Sequence, residues 1–228
     1  MFAELLGEKT EASKQALDGL RDLSMIEWYI IPFLAFVFYV YSVEIKKAQQ
    51  TGNWNTVAAG LALFGMDLIN ETWNSLVLHF TDKSACWTVP GDTAYRIMVG
   101  WNIEIAFMFS IAGIVFAYML PDDKNWKIDL QVVKIPNRWA YAVTMSAFCV
   151  FVEVILNAGD VLIWEYWFWD ATIVGIWAIF FLGYLHFYVV SFWVHDMECV
   201  HRKIAVLSVI YAIGIGSVII FMFGLGWI

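Results

Sequence analysis

From Gly65 to Phe80 the chain reads GMDLINETWNSLVLHF, a membrane-length apolar segment interrupted at its centre by strongly polar residues. Asp67, Asn70, Glu71 and Asn74 stand at i, i+3, i+4 and i+7, which makes them one stripe on one face of an α-helix. A charged side chain at the centre of a spanning helix costs at least ~2.5 kcal/mol on insertion scales. The stripe must therefore look at a protein interior or a wet cavity, and the rest of the chain has to supply it.

The composition says what surrounds that stripe. Of 228 residues, 61% are hydrophobic and 15% charged, against roughly 45–50% and ~25% in soluble domains. This predicts an all-α, polytopic integral membrane protein of an inner or plasma membrane. Six apolar segments reach the ~20 residues a bilayer requires: Ile26 to Glu44, Asn55 to Phe80, Thr93 to Leu120, Trp139 to Ile163, Ala171 to Trp193, and Ile204 to Ile228. Residues 26–228 thus read as a single six-helix transmembrane domain with short connections and no soluble domain. Residues 1–25 mix acids and bases without an apolar core, unlike a signal or transit peptide. Leu5, Leu6, Ala16, Leu17, Leu20 and Leu23 fall on one face, as in a short amphipathic helix on the membrane surface.

The basic residues orient the chain. Lys46, Lys47, Lys124, Lys127, Lys134, Arg138, Arg202 and Lys203 gather on one side, which the positive-inside rule makes cytoplasmic; Lys9, Lys14, Arg21, Lys83 and Arg96 fall on the other. Trp28, Trp87, Trp164, Trp167, Trp169 and Trp227 then form an outer aromatic belt, and Trp54, Trp126, Trp139 and Trp193 an inner one. The net charge of −8 and the lack of a basic face exclude nucleic acid as a partner. Three cysteines without close pairing imply no disulfide framework.

Counting along these spans puts Glu71, Glu104 and Glu153 at one level, roughly 14 Å below the outer boundary. The fourth span carries a second stripe, Ser146, Cys149, Glu153, Asn157 and Asp160, and the third adds Asn102 beside Glu104. His79, Arg96 and Asp160 end nearer the outside, where an Arg96–Asp160 pair would form a lid. Three carboxyl groups at this spacing cannot all ionise without a cation, so the site either keeps a proton or holds a cation. The catalytic candidates are Glu71, Glu104, Glu153 and Asp67, with Glu71 foremost because Asp67 lies one turn away. The substrate-binding candidates are Asn70, Asn74, Trp73, Trp101, Asn102, Asn157, Asp160, Arg96 and His79. Asn102 and Cys149 also fit helix–helix hydrogen bonding.

Dense aromatic residues around this level suit a lipophilic ligand. In outline the arrangement is similar to membrane-bound terpene cyclases, a likeness of architecture without a shared motif. Three function classes follow: an intramembrane acid/base enzyme on a lipid or isoprenoid-like molecule, a proton- or cation-coupled transporter, and a structural subunit. The expected partners are membrane lipid, a lipophilic small molecule, and a homo-oligomer or larger membrane complex. No haem, retinal, nucleotide or flavin motif is present, whether any metal is bound stays open, and HDMECVH (195–201) reads as a juxtamembrane loop. Gly214, Gly216, Gly224 and Gly226 predict a last span that packs peripherally through close backbone approach, with Gly216 at the contact.

Overall fold

The structure, a computed structural model, describes residues 6–228, so Leu5 of the expected N-terminal face lies outside the described residues. A short helix, α1 (Glu11–Asp18), precedes α2 (Ile30–Thr51), α3 (Asn55–Thr81), α4 (Ile103–Tyr118) and α5 (Asn137–Ala158). Next comes one continuous helix: α6 (Ile173–Ala178), a π-helical stretch (Ile179–Leu185), then α7 (His186–His195). The chain closes with α8 (Val200–Val218) and a π-helical end, Ile219–Gly224. Three antiparallel ribbons of two or three residues per strand join them: β1 (Trp87–Thr88) with β6 (Ile163–Trp164), β2 (Arg96–Met98) with β3 (Trp101–Asn102), and β4 (Lys127–Asp129) with β5 (Lys134–Pro136). The fold is therefore mostly helical with few strands.

Three helical runs are long and apolar enough to cross a membrane: Asn137–Ala158, Ile173–His195 and Val200–Gly224. The others depart from that simple form for visible reasons. Helix α2 starts four residues later than Ile26 and runs past Glu44 through KKAQQT, all acceptable helix residues, until Gly52 ends it in the left-handed conformation at φ 75°. Helix α4 has 16 residues and begins at Ile103, not Thr93. The stretch before it folds as the β2–β3 hairpin, and Asn102 caps the helix by accepting the Ile105 N–H at 2.9 Å.

Helix α3 is the hub, touching α4, α7 and α8. Small residues on it allow this. A Cβ at Gly113 of α4 would stand 2.8 Å from Gly60 Cα, so the two backbones cross in direct contact. Hydroxyl groups reinforce the crossings: Ser191 Oγ donates to the Ala59 carbonyl at 2.9 Å, and Tyr211 OH to that of Leu61 at 3.0 Å. Helix α8 packs on α3 through Gly214, beside Leu68, while Gly216 faces open space. The glycine contact expected at Gly216 is thus made two residues earlier, half a turn around the helix. Helices α4 and α5, consecutive in the chain, approach each other less closely than either approaches α7.

The segments 82–102 and 159–172 form a cap over one end of the bundle, and α1 docks into it. Ala16 and Leu17 pack with Leu78, Ala85 and Val99, so the apolar face of α1 is covered by protein. Thr10 and Ser84 both donate to Glu165, and Lys9 pairs with Asp82.

At the opposite end Asp196 faces two Arg138 nitrogens, Nε at 2.7 Å and Nη2 at 3.0 Å, and His195 Nδ1 at 2.8 Å. Burial opposes its ionisation, but hydrogen bonds from His195 and Arg138 outweigh burial and hold the carboxyl down at about 2. A carboxyl depressed in the folded state stabilises fully above its unfolded value of ~3.9 and loses that contribution as the pH falls through its folded value. Arg138→Leu should therefore cost about 2 kcal/mol near neutral pH, and the gap to wild type should narrow as the pH approaches ~2. Thermal unfolding across that range checks this; a constant gap at every pH would sink it. Lys203 completes this end by donating to the Val194 and His195 carbonyls at 2.8 and 2.7 Å, capping α7.

Candidate functional site

Three buried carboxyl groups each receive an indole N–H. Trp101 Nε1 donates to Asp67 Oδ2 at 3.0 Å, Trp87 Nε1 to Glu71 Oε1 at 2.9 Å, and Trp164 Nε1 to Glu153 Oε1 at 2.9 Å. Asp67 and Glu71 come from the α3 stripe and Glu153 from α5, as helical periodicity predicts. The indoles come from the cap. Trp87 and Trp164 stand directly opposite each other in the β1–β6 ribbon and so share one face, which points both rings down between α3 and α5.

The acids line a cavity of about 180 Å³. Its polar wall is Asp67, Asn70, Glu71 and Glu153, with Cys149 and Tyr184; Cys149 Sγ lies 2.9 Å from the Tyr188 hydroxyl. The remaining wall is apolar, including Phe109, Phe116, Leu156 and Phe187. Two lining residues are exposed, Met108 on α4 at 51% and Phe148 on α5 at 52%, which puts the mouth sideways between those helices. The π-helical stretch contributes Gly183 and Tyr184, a local widening of the helix against the cavity.

Four buried side-chain polar atoms have no hydrogen-bond partner among the described residues: Glu71 Oε2, Ser75 Oγ, Thr88 Oγ1 and Trp169 Nε1. Glu71 and Trp169 belong to the cavity wall. Asn74 lies beside Glu71, and its amide clamps the cap. Nδ2 donates to the Trp87 carbonyl at 2.7 Å, and Oδ1 accepts from Cys86 N at 2.8 Å and Trp87 N at 3.2 Å. Gly100 leaves room for this clamp, because a Cβ there would stand 2.4 Å from Asn74 Nδ2 and 2.6 Å from the Trp87 ring.

The remaining expected site residues divide between cavity and scaffold. Glu104 stands outside the cavity wall. It sits in the first turn of α4 and accepts from Thr93 Oγ1 (2.5 Å), the Ala94 N–H (2.9 Å) and Tyr29 OH (2.7 Å), fastening the cap to α2. Arg96 does not pair with Asp160. Its guanidinium donates to the carbonyls of Val89, Pro90, Gly91, Gln15 and Ala16. Asp160 is an exposed turn residue at φ 55°. Asn157 donates to the Leu162 carbonyl at 2.9 Å, and Asn102 is the α4 cap. His79 is exposed and stacks on Trp227 at 4.7 Å. Trp73, 41% exposed, packs on Trp87 and Trp169, which themselves stack at 5.3 Å.

Trp87, Trp164 and Trp169, expected in an interfacial belt, are thus part of the site, as is Tyr184. Nothing in hydropathy marks a loop tryptophan that folds back toward a carboxyl. Among the described residues no three His, Cys, Asp or Glu side chains converge as a metal-binding set. Cys86, beneath the cap, is buried and its thiol is pushed up to about 12 by desolvation, which makes it a packing residue.

Residues 10–223 match an uncharacterized membrane protein family. The chain belongs to this family. It is accordingly a multi-pass integral membrane protein, in keeping with its apolar helices. It is 46% identical over 219 residues to an uncharacterized protein of Archaeoglobus fulgidus, covering 96% of this chain and 99% of that one. No solved structure matches the chain.

Proposed function

We propose that this family member is an intramembrane acid/base enzyme acting on a lipophilic, lipid- or isoprenoid-like substrate, built on six membrane-crossing helices. The observation that carries the reading is a buried glutamate, Glu71, with one free carboxyl oxygen in the wall of an apolar cavity that opens sideways. A lateral mouth at Met108 and Phe148 suits a substrate arriving from the bilayer, and the cap suits exclusion of water from the acids. Six crossings are consistent with this arrangement. The short α4 is continued by a hairpin enclosed in protein, the setting in which irregular backbone is tolerated at membrane depth. Asp67, Asn70 and Glu71 of the α3 stripe line the cavity, and Asn74 faces the cap.

A coupled transporter needs a polar path through the bundle. Beyond the acids the cavity runs into Phe109, Phe187, Tyr188 and Phe192, an apolar cluster. The residues assigned to chemistry are Glu71 as proton donor or acceptor, and Asp67 and Glu153 as the groups that set its environment. In deuterated water, protein reconstituted in bilayers with isoprenoid alcohols and olefins should give a lipophilic product carrying solvent deuterium, read by mass spectrometry. No protein-dependent change in any of these lipids would overturn the enzymatic reading.

A further inference from the structure

We infer that the cavity recognises a neutral hydroxyl group at the head of its lipophilic ligand, held between Trp169 Nε1 and Glu71 Oε2. This deepens the proposed function and rests on its lipophile-binding cavity. Trp169 and Glu71 are 1% and 4% exposed, each carries a polar atom with no partner among the described residues, and both line the cavity. A buried polar atom left unpaired costs ~1–3 kcal/mol, so a ligand that pairs both is strongly favoured over one that pairs neither. Trp87 links the two residues: Trp169 stacks on it, and its own N–H holds the other oxygen of Glu71.

The two orphans select the chemistry. An indole N–H only donates, so the head group must accept, which excludes an ammonium head. The acids on the wall repel a phosphate or carboxylate head. Glu71 Oε2 accepts when ionised and is able to donate when protonated, and a hydroxyl meets either state because it has both a proton and lone pairs. A carbonyl meets only one. The cavity, about 180 Å³, has room for a head group and the first carbons of a chain. The rest of the chain would leave between Met108 and Phe148.

The test compares four probes of one isoprenoid chain, the primary alcohol, the aldehyde, the monophosphate and the hydrocarbon, binding to the reconstituted full chain by quenching of intrinsic tryptophan fluorescence. The alcohol should bind about tenfold more tightly than the hydrocarbon, the aldehyde no more tightly than the alcohol, and the monophosphate more weakly than the alcohol. Trp169→Phe, which keeps an aromatic ring and removes the N–H, should erase the preference for the alcohol over the hydrocarbon. Equal binding of alcohol and hydrocarbon, an aldehyde that binds more tightly than the alcohol, or a monophosphate that binds as tightly as the alcohol overturns the hydroxyl assignment while the lipophile cavity stands. Failure of all four to bind overturns both.

Discussion

Glu71→Gln should fold and assemble as wild type yet lose turnover by at least ~10²-fold, the usual contribution of a general acid or base. The substitution keeps the shape of the side chain, and a glutamine Oε1 still accepts the Trp87 N–H that now reaches Glu71 at 2.9 Å. What disappears is the transferable proton and the free carboxyl oxygen. The readout is solvent deuterium in the lipophilic product. An infrared difference spectrum against wild type should also lose one carboxyl band. Glu104→Gln supplies the contrast. Its carboxyl is occupied by Thr93, Ala94 and Tyr29 and lies outside the cavity wall, so that change should loosen the cap without a comparable loss of turnover. A Glu71→Gln protein with full turnover would return the acid cluster to helix–helix packing.

The second large effect is expected at Asn74, where one side chain satisfies three backbone groups of the cap. Asn74→Leu keeps the branch at Cγ and leaves the Cys86 and Trp87 N–H groups and the Trp87 carbonyl without this partner in a fully buried place. At ~1–3 kcal/mol for each unpaired group the loss is about 3 kcal/mol or more. It should appear as a lower unfolding midpoint, together with a changed tryptophan emission as Trp87 leaves Glu71. Its neighbour is the control. Ser75 is as buried as Asn74 but its hydroxyl has no partner among the described residues, so Ser75→Ala should stay within ~0.5 kcal/mol of wild type or stabilise. Equal losses at the two positions would mean that burial, not the clamp, is what matters.

Much of this was legible in the residues. The membrane class followed from hydropathy, and the helical period alone brought Asp67, Glu71 and Glu153 into one cavity, because a stripe of acids has nowhere else to point. Glu104 was expected in the cavity and stands outside its wall for a physical reason. The run TAYRIMVGWNIEIAFMFS is largely apolar, so hydropathy extends the helix back to Thr93, whereas Arg96 is stable there only by collecting five carbonyls in a hairpin. The same error of boundary predicted the Arg96–Asp160 lid. The indole partners lay beyond any local pattern, since Trp87 and Trp164 meet their acids through a pairing of two loop residues 77 positions apart. Likewise α4 and α5, neighbours in sequence, part around a cavity whose width depends on how α7 leans against both.

The ribbon of β1 and β6 has a consequence for how this protein tolerates change. It is two residues long, and it sets the distance between an indole for α3 and an indole for α5, helices whose facing carboxyls line opposite parts of one cavity. Shifting one strand by a single residue turns its side chains to the other face, so an inserted or deleted residue in 82–86 or 159–162 would withdraw one tryptophan from its acid while every helix kept its sequence. Connecting segments ordinarily accept changes of length more readily than the elements they join. Here that order is reversed: the gauge that spaces the reactive groups is carried by the loops, and the helices are the parts it measures.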